Sequence, residues 1–467
     1  MDKARLSYLQ VALGAALLVW LGFLAARSDE NFWFDEVFTL GAAGVNGTLD
    51  WDVLLRDVHP PTHVALVHLA SQFVDGARPV LRAINALALI PLVLAFLLLR
   101  AQIGRERATL AALVLVANTF FFLFSLELRV YGLLLGTAAL GHVLLFCRLR
   151  AVRGAEPGLI ATALALTGLH FFGAALGTAL LLVSAADHVK AGRRRRALVP
   201  LGFAGLCVAL TLGWAFVLGD VRGALGGALW IRNEFGPWID FALNQPLVLA
   251  GVVLLLAARR QGATSPALVP VLWLLAPFGL VIAVALAISL HSPVVSTKNL
   301  TVGVPAMALV MGLAMPAPLL AALDRTVWSV VGVVAVCLGA AYSGGGTPQY
   351  IRWAVETATP APCHGRPLYV VNPDSVDRYA QRVFLGAVLR PPTDILSLPP
   401  KIDAADWTGA CRVIAAGYHE FGRASTVTAF FRDRGLDVTV RQAPDPRAAA
   451  GDQRSFGYVV EVRGPTP

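Results

Sequence analysis

Runs of apolar residues long enough to cross a bilayer recur along the first three quarters of the chain, separated by short polar breaks. A spanning helix needs roughly 20 such residues, and about eleven segments meet that pattern. They centre near residues 17, 90, 116, 139, 163, 179, 208, 252, 279, 310 and 335. The stretch 61–74 is apolar too, but at about 14 residues it is short for a span and suits a helix lying at the membrane interface. From about residue 343 the pattern changes. Short β-like runs at 367–371, 412–416, 436–440 and 457–462 predict strands, and 375–388 and 425–434 read as helices between them. The expected architecture is an all-α polytopic membrane bundle over 1–342, with a first outer loop at 27–78, followed by a small α/β extracytoplasmic domain over 343–467.

Composition agrees with lipid as the solvent: 57% of residues are hydrophobic and 14% charged, against about a quarter charged in soluble domains. The net charge of +9 does not point to nucleic acid, because no soluble part carries a basic stripe interleaved with aromatics. Its arginines and lysines gather instead at the ends of apolar stretches, at 1–5, 100–107, 148–153, 190–196 and Arg259-Arg260. Placing these loops in the cytoplasm puts the N-terminus inside. The outside then receives 27–78, the turn around Glu127, the break near His170, 219–246, the turn at 291–299 and the tail. This parity holds only if 61–74 does not cross. The basic start followed by apolar 9–26 also has the form of a signal peptide, but the spans that follow favour an uncleaved first helix. Cys147, Cys207 and Cys337 lie in or beside apolar spans as small core residues, while Cys363 and Cys411 in the tail are open to two readings, a bridge or two free thiols.

The most informative polar stretch is NFWFDEVFT at 31–39, on the outer side of the first span. Asp35 and Glu36 sit there among Phe32, Trp33 and Phe34, and ionised groups held against apolar surface are costly unless paired, solvated or metal-bound. The structural alternative is a helix N-terminus whose dipole the two carboxylates offset. Further along come DVHPPTHVALVHLA from Asp57, RPVLRAINALALI from Arg78, SLELRVYGLLL from Ser125, TGLHFFGAAL from Thr167 and KNLTVGVPAMALVMGLA from Lys298.

In this order the motifs resemble the C-type (GT-C) superfamily of membrane glycosyltransferases, of the dolichyl-phosphate-mannose protein mannosyltransferase and aminoarabinose transferase type. In that group an Asp-Glu pair occupies the first outer loop, an HPP segment leads into an interfacial helix, an arginine opens the next span, and a Glu-x-Arg-x-Tyr turn marks the second outer loop. The family's Arg-Tyr pair before a proline is here Lys298-Asn299 before Pro305, so the cation is kept and the tyrosine is not. The resemblance covers roughly residues 10–340. It implies a transferase that takes a sugar from a polyprenyl-phosphate donor.

Such a transfer needs a base for the acceptor hydroxyl, for which Asp35 is the candidate, with Glu36 orienting a hydroxyl or a metal. It needs stabilisation of the departing phosphate, by Lys298 or by a divalent metal (Mg, Mn or Zn) shared by Asp35 and Glu127. Arg129 either binds phosphate or pairs with Glu127 to hold the turn, and Tyr131 completes that motif. Trp33, Trp230 and Trp238 are candidate walls for the sugar, with Arg232, Asn233 and Glu234 beside them for the acceptor. His59 and His63 flank two prolines that break helical metal-ligand spacing, so they are read as pocket or capping residues. His170 either faces the cavity or is a hydrogen-bonded structural histidine. Arg78 and Arg82 anchor the second span at the interface. One outer cavity is thus expected to be bounded by Asp35, Glu36, Glu127, His170 and Lys298.

The partners on this reading are membrane lipids, the polyprenyl-phosphate sugar and an envelope glycan, lipid or protein acceptor. An Ala- and Arg-rich composition suggests a high-GC bacterium, its plasma membrane and undecaprenyl phosphate as carrier. A transporter or flippase would place ionisable groups or broken helices near the midplane, in repeated halves, whereas these spans are nearly free of charge and show no repeat. A non-catalytic assembly protein leaves the Asp-Glu pair unexplained, and a ligase moving a whole glycan keeps the fold with other chemistry.

Overall fold

The computed structural model describes residues 7–26, 59–74, 77–224, 236–243, 268–290 and 295–322, scattered positions between 36 and 54, Val248 and Val252, and, in the tail, 366–371, 395–397, 410–417, 432–433, 437–444 and 455–463. The chain divides into two compact units, residues 1–27 with 54–344 and residues 28–53 with 345–467.

The first unit is a helix bundle. In order come α1 (Tyr8–Ala26), α2 (Thr62–Ser71), α3 (Ala77–Ile103), α4 (Arg105–Val116), α5 (Thr119–Ser125), α6 (Tyr131–Leu149), α7 (Ala155–Leu169), α8 (Phe171–Lys190), α9 (Arg194–Ala224), α10 (Gly236–Leu243), α11 (Leu268–Ser289), α12 (Thr297–Leu300) and α13 (Val304–Ala314). Among the described residues, six stretches are long and apolar enough to cross a membrane: α1, most of α3, α6, α8, most of α9, and the run Thr297–Ala314. The segment expected near residue 335, and that near 252 apart from Val248 and Val252, lie outside the described residues. At ten residues α2 is about 15 Å long, half the ~30 Å of a bilayer core.

The span expected near residue 116 is instead two helices. Asn118 interrupts it, its Oδ1 accepting from Phe120 N at 3.0 Å and Phe121 N at 3.4 Å. An asparagine amide satisfies the orphan donors of a new helix better than it serves a helix interior. The short helix it starts, α5, buries Phe121 and Phe122 and ends where Ser125 Oγ accepts from Trp20 Nε1 of α1 at 2.6 Å. Nearby, Arg82 Nη2 of α3 donates to Ala25 O at 2.7 Å, satisfying a carbonyl in the last turn of α1.

At the opposite end of the bundle the basic loops meet. Arg150 Nη1 donates to Gln102 O at 2.9 Å, and Arg148, at the end of α6, ion-pairs with Glu156 of α7 at 3.3 Å and Asp187 of α8 at 3.2 Å. The bundle therefore has a basic end and a second end, where α6 and α8 begin.

Helices α7 and α8 approach as closely as backbones allow. A Cβ on Gly177 would stand 2.7 Å from Ala163 O, and one on Gly173 would overlap Leu166 O. Two glycines four residues apart give the small-residue seam by which helices pack in membranes, where the hydrophobic effect no longer drives association. Gly177→Leu should lower the thermal unfolding midpoint in detergent, corresponding to about 1–3 kcal/mol of overpacking strain; an unchanged midpoint would mean that the seam separates freely. His142 of α6 makes the reverse case. It is fully buried, and neither ring nitrogen has a hydrogen-bond partner among the described residues. A buried polar group left unsatisfied costs about 1–3 kcal/mol, so His142→Leu is expected to raise the same midpoint, and a fall would disprove that cost.

In the second unit the described strands are β1 (Arg366–Val371), β2 (Ile395–Ser397), β3 (Ala410–Gly417), β4 (Asp437–Pro444) and β5 (Ser455–Arg463), in the sheet order β2-β1-β3-β5-β4. β1 runs parallel to β2 and β3, with Tyr369 opposite Ile395 and Ile414, while β5 is antiparallel to β3 and β4, with Val460 opposite Ala415 and Val440. Four of these strands fall on the four β-like runs of the sequence. The helices expected at 375–388 and 425–434 lie outside the described residues except for Arg432 and Asp433. Glu36 and Thr39, also of this unit, are fully buried.

Candidate functional site

The turn between α5 and α6 alternates. Leu126 and Leu128 are fully buried, while Glu127, Arg129 and Tyr131 reach polar or aromatic partners. This is the physical content of the Glu-x-Arg-x-Tyr spacing: every second residue anchors the turn, and the others are left for chemistry. Tyr131 opens α6.

Lys298 reaches the same place from far along the chain. Ser296 caps α12, its Oγ accepting from Asn299 N at 3.3 Å, and so fixes the backbone that carries the lysine. The Lys298 ammonium donates to Glu127 Oε2 at 3.2 Å and Oε1 at 3.4 Å, and lies 5.2 Å from the Phe124 ring centroid and 5.5 Å from that of Tyr131. Ion pair and ring quadrupoles act on one cation. Both charged side chains keep some exposure, 21% for Lys298 and 16% for Glu127.

Behind them lie the histidines. Arg129, a buried residue, donates from Nη2 to His59 Nδ1 at 3.2 Å. Trp214 Nε1 of α9 donates to His59 O at 3.2 Å. His170, also buried, stands between α7 and α8 with an extended backbone, and its Nδ1 accepts from Phe172 N at 3.0 Å as the cap of α8. The His59 and His170 rings are 5.0 Å apart, and that of Tyr131 lies 5.6 Å from His170 and 6.4 Å from His59. Gly168 makes this possible, since a Cβ there would stand 2.5 Å from Thr62 Oγ1 at the head of α2.

The structure thus brings together His59, Glu127, Arg129, Tyr131, His170 and Lys298. It pairs Glu127 with Lys298 and Arg129 with His59. His170 is a structural cap and a member of the cluster at once. Phe124 and Trp214 were not anticipated: Phe124 sits in an undifferentiated FFFLF run, and Trp214 in an apolar span where only its indole N–H marks it. Trp238 packs against the bundle core. His63 is buried on α2 and Glu36 in the second unit. Asp35, Trp33, Trp230 and Arg232 to Glu234 lie outside the described residues, as do the tail cysteines Cys363 and, for its side chain, Cys411. Among the described residues no group of three or more His, Cys, Asp or Glu side chains is placed to hold a metal ion.

No family model matches the sequence, and no curated protein matches it. Among solved structures, ArnT from Cupriavidus metallidurans bound to undecaprenyl phosphate superposes with a TM-score of 0.56 at 15% identity, covering 98% of this chain and 99% of that one. The fold is that of ArnT. The apo form of the same ArnT superposes with a TM-score of 0.54, again at 15% identity, with 98% of each chain covered. At 15% identity the likeness speaks for architecture and not for any single residue.

Proposed function

We propose that this chain is a multi-pass glycosyltransferase of the bacterial inner membrane that moves a sugar from a polyprenyl-phosphate donor to an envelope lipid, glycan or protein on the extracytoplasmic face. One observation carries the reading: residues from four separate motifs, spread from His59 to Lys298, form one cluster of cations, imidazoles and aromatic rings at the end of the bundle away from the basic loops. The likeness to an ArnT structure bound to undecaprenyl phosphate supports a lipid-phosphate donor.

In this reaction Asp35 takes the proton of the acceptor hydroxyl as its oxygen bonds to the anomeric carbon. The bond from that carbon to the phosphate oxygen breaks, and the polyprenyl phosphate leaves with the electron pair. Lys298 and Arg129 offset the charge that develops on it. Glu36 orients a hydroxyl, Tyr131, His59 and His170 line the phosphate end, and Trp230 holds the sugar ring. The described carboxylate of the suggested metal pair, Glu127, is taken by Lys298, and no step is routed through a metal. The proposal includes the full set of eleven spans, a cytoplasmic N-terminus, and an extracytoplasmic α/β domain over 343–467.

The test is release of polyprenyl phosphate from polyprenyl-phosphate sugars by the protein purified in detergent, across a panel of acceptors. Acceptor-dependent release is expected. Intact donor throughout, with donor instead moved across the bilayer of proteoliposomes, would replace the proposal by transport.

A further inference from the structure

We infer that the corner between α8 and α9 is a binding site for an anionic phospholipid, whose headgroup phosphate is held by Lys190, Arg194, Arg195 and Arg196 while its acyl chains lie along α9. The inference goes beyond the transfer reaction and needs only that the bundle spans a membrane. A run of like charges repels itself and tends to stay disordered. Here the run is built into a fixed corner. Helix α8 ends in a Schellman turn: Arg193 N donates to His188 O at 2.8 Å, Gly192 N donates to Val189 O at 2.9 Å, and Gly192 takes the positive φ of 75° that such a turn requires. Helix α9 starts at once, with Arg196 N and Ala197 N donating to Arg193 O at 3.0 and 3.3 Å. Arg193 itself is tied to Asp187 at 3.5 Å. Three exposed arginines therefore open α9, spaced by about 100° around its axis.

The corner has no counter-charge of its own. Glu156 and Asp187, the carboxylates that α7 and α8 bring to this end, are taken by Arg148, His188 and Arg193. The first turn of α9 carries no acidic residue, and among the described residues Arg194, Arg195 and Arg196 make no ion pair. The next turn is apolar and open: Leu198 is 66% and Val199 51% exposed, and Leu201 and, on α8, Val189 are exposed as well. Lys190 sets the level of the headgroups. Its ammonium lies 5.5 Å from the ring centroid of Trp273 on α11, and tryptophan is enriched where a membrane meets water. Four cations above an apolar wall complement a molecule with phosphate at one end and hydrocarbon at the other. Guanidinium forks take phosphate oxygens two at a time. A soluble polyanion would leave Leu198 and Val199 against water, and a zwitterionic lipid would bring an ammonium of its own to the arginines.

The test titrates the full-length protein, in phosphatidylcholine nanodiscs, with phosphatidylglycerol and counts the retained lipids by native mass spectrometry. Retention of phosphatidylglycerol by the native protein is expected; no preference over phosphatidylcholine overturns the site without any variant. The triple exchange Arg194→Gln/Arg195→Gln/Arg196→Gln should weaken that binding about a hundredfold at low salt, the scale of three cations at a membrane surface. The matching triple exchange to lysine keeps the charge and should stay within about tenfold of the native protein; binding lost there overturns recognition by charge. Removing as many charges elsewhere at the basic end, by Arg100→Gln/Arg105→Gln/Arg153→Gln, should weaken binding by less than about threefold. An equal loss from that control means a diffuse field and overturns the site, as does unchanged binding by the first triple variant. Glycerol phosphate that competes at the same concentration would make this a site for free phosphates and overturn the lipid. Donor release in phosphatidylcholine alone should be the same for the first triple variant as for the native protein, because His170 caps the other end of α8, about 30 Å away. Failure of the lipid site and failure of the transfer reading therefore show in different assays.

Discussion

Asp35→Asn should bind the lipid-linked donor as the native protein does and release polyprenyl phosphate at least about a hundredfold more slowly, the scale of a lost general base. Asparagine keeps the size of aspartate and still accepts a hydrogen bond, so substrate placement survives while the proton has nowhere to go. The adjacent carboxylate responds differently. Glu36 is fully buried, so Glu36→Gln is to be read for folding as well as rate. Measuring donor binding and release on the same preparation separates the two: a binding constant unchanged within about twofold beside a collapsed rate identifies the base. Full release by Asp35→Asn would leave the pair to the helix-terminus reading, in which the carboxylates offset a dipole.

The sequence told which residues share an end of the bundle because hydropathy and charge together fix the order of crossings. His59 and Arg129 are 70 positions apart and Lys298 and Glu127 are 171 apart, yet each lies at a boundary between an apolar run and a polar break. What hydropathy does not encode is lateral packing. Nothing in the string says that Arg129 turns to His59 and Glu127 to Lys298, since the two pairings offer similar charge compensation and differ only in how α12 docks beside the α5–α6 turn. The break at Asn118 was hidden for another reason: one asparagine barely lowers the mean hydropathy of the FFFLF neighbourhood, although its capping preference was there to read. Strand β2, at three residues, is too short to show alternation. The likeness to ArnT at a TM-score of 0.56 came at 15% identity and without a family match, so it lies in the arrangement of the chain and not in its residues.

Arg148→Met should be the most destabilising single exchange at the basic end, costing about 3 kcal/mol, the lower edge of the range for breaking a buried ion pair. Arg148 is buried, whereas Glu156 and Asp187 keep 26% and 25% exposure, so water recovers part of what the two carboxylates lose. Arg148 is the only described residue that ion-pairs with both. His188 adds a bond to Glu156 at 3.1 Å, and Arg193 a longer contact to Asp187 at 3.5 Å. Removing the hub therefore leaves two negative charges facing one another across the ends of α7 and α8, while Glu156→Gln removes one charge and keeps an acceptor. The double variant Arg148→Met/Asp187→Asn should recover about half of the loss in thermal midpoint, because one orphaned charge goes with its partner. A cost below about 1 kcal/mol for Arg148→Met would class the network with surface pairs. A large cost would make this knot the fastening that holds α6, α7 and α8 in register, and with them Tyr131 and His170 at the far ends of the same helices.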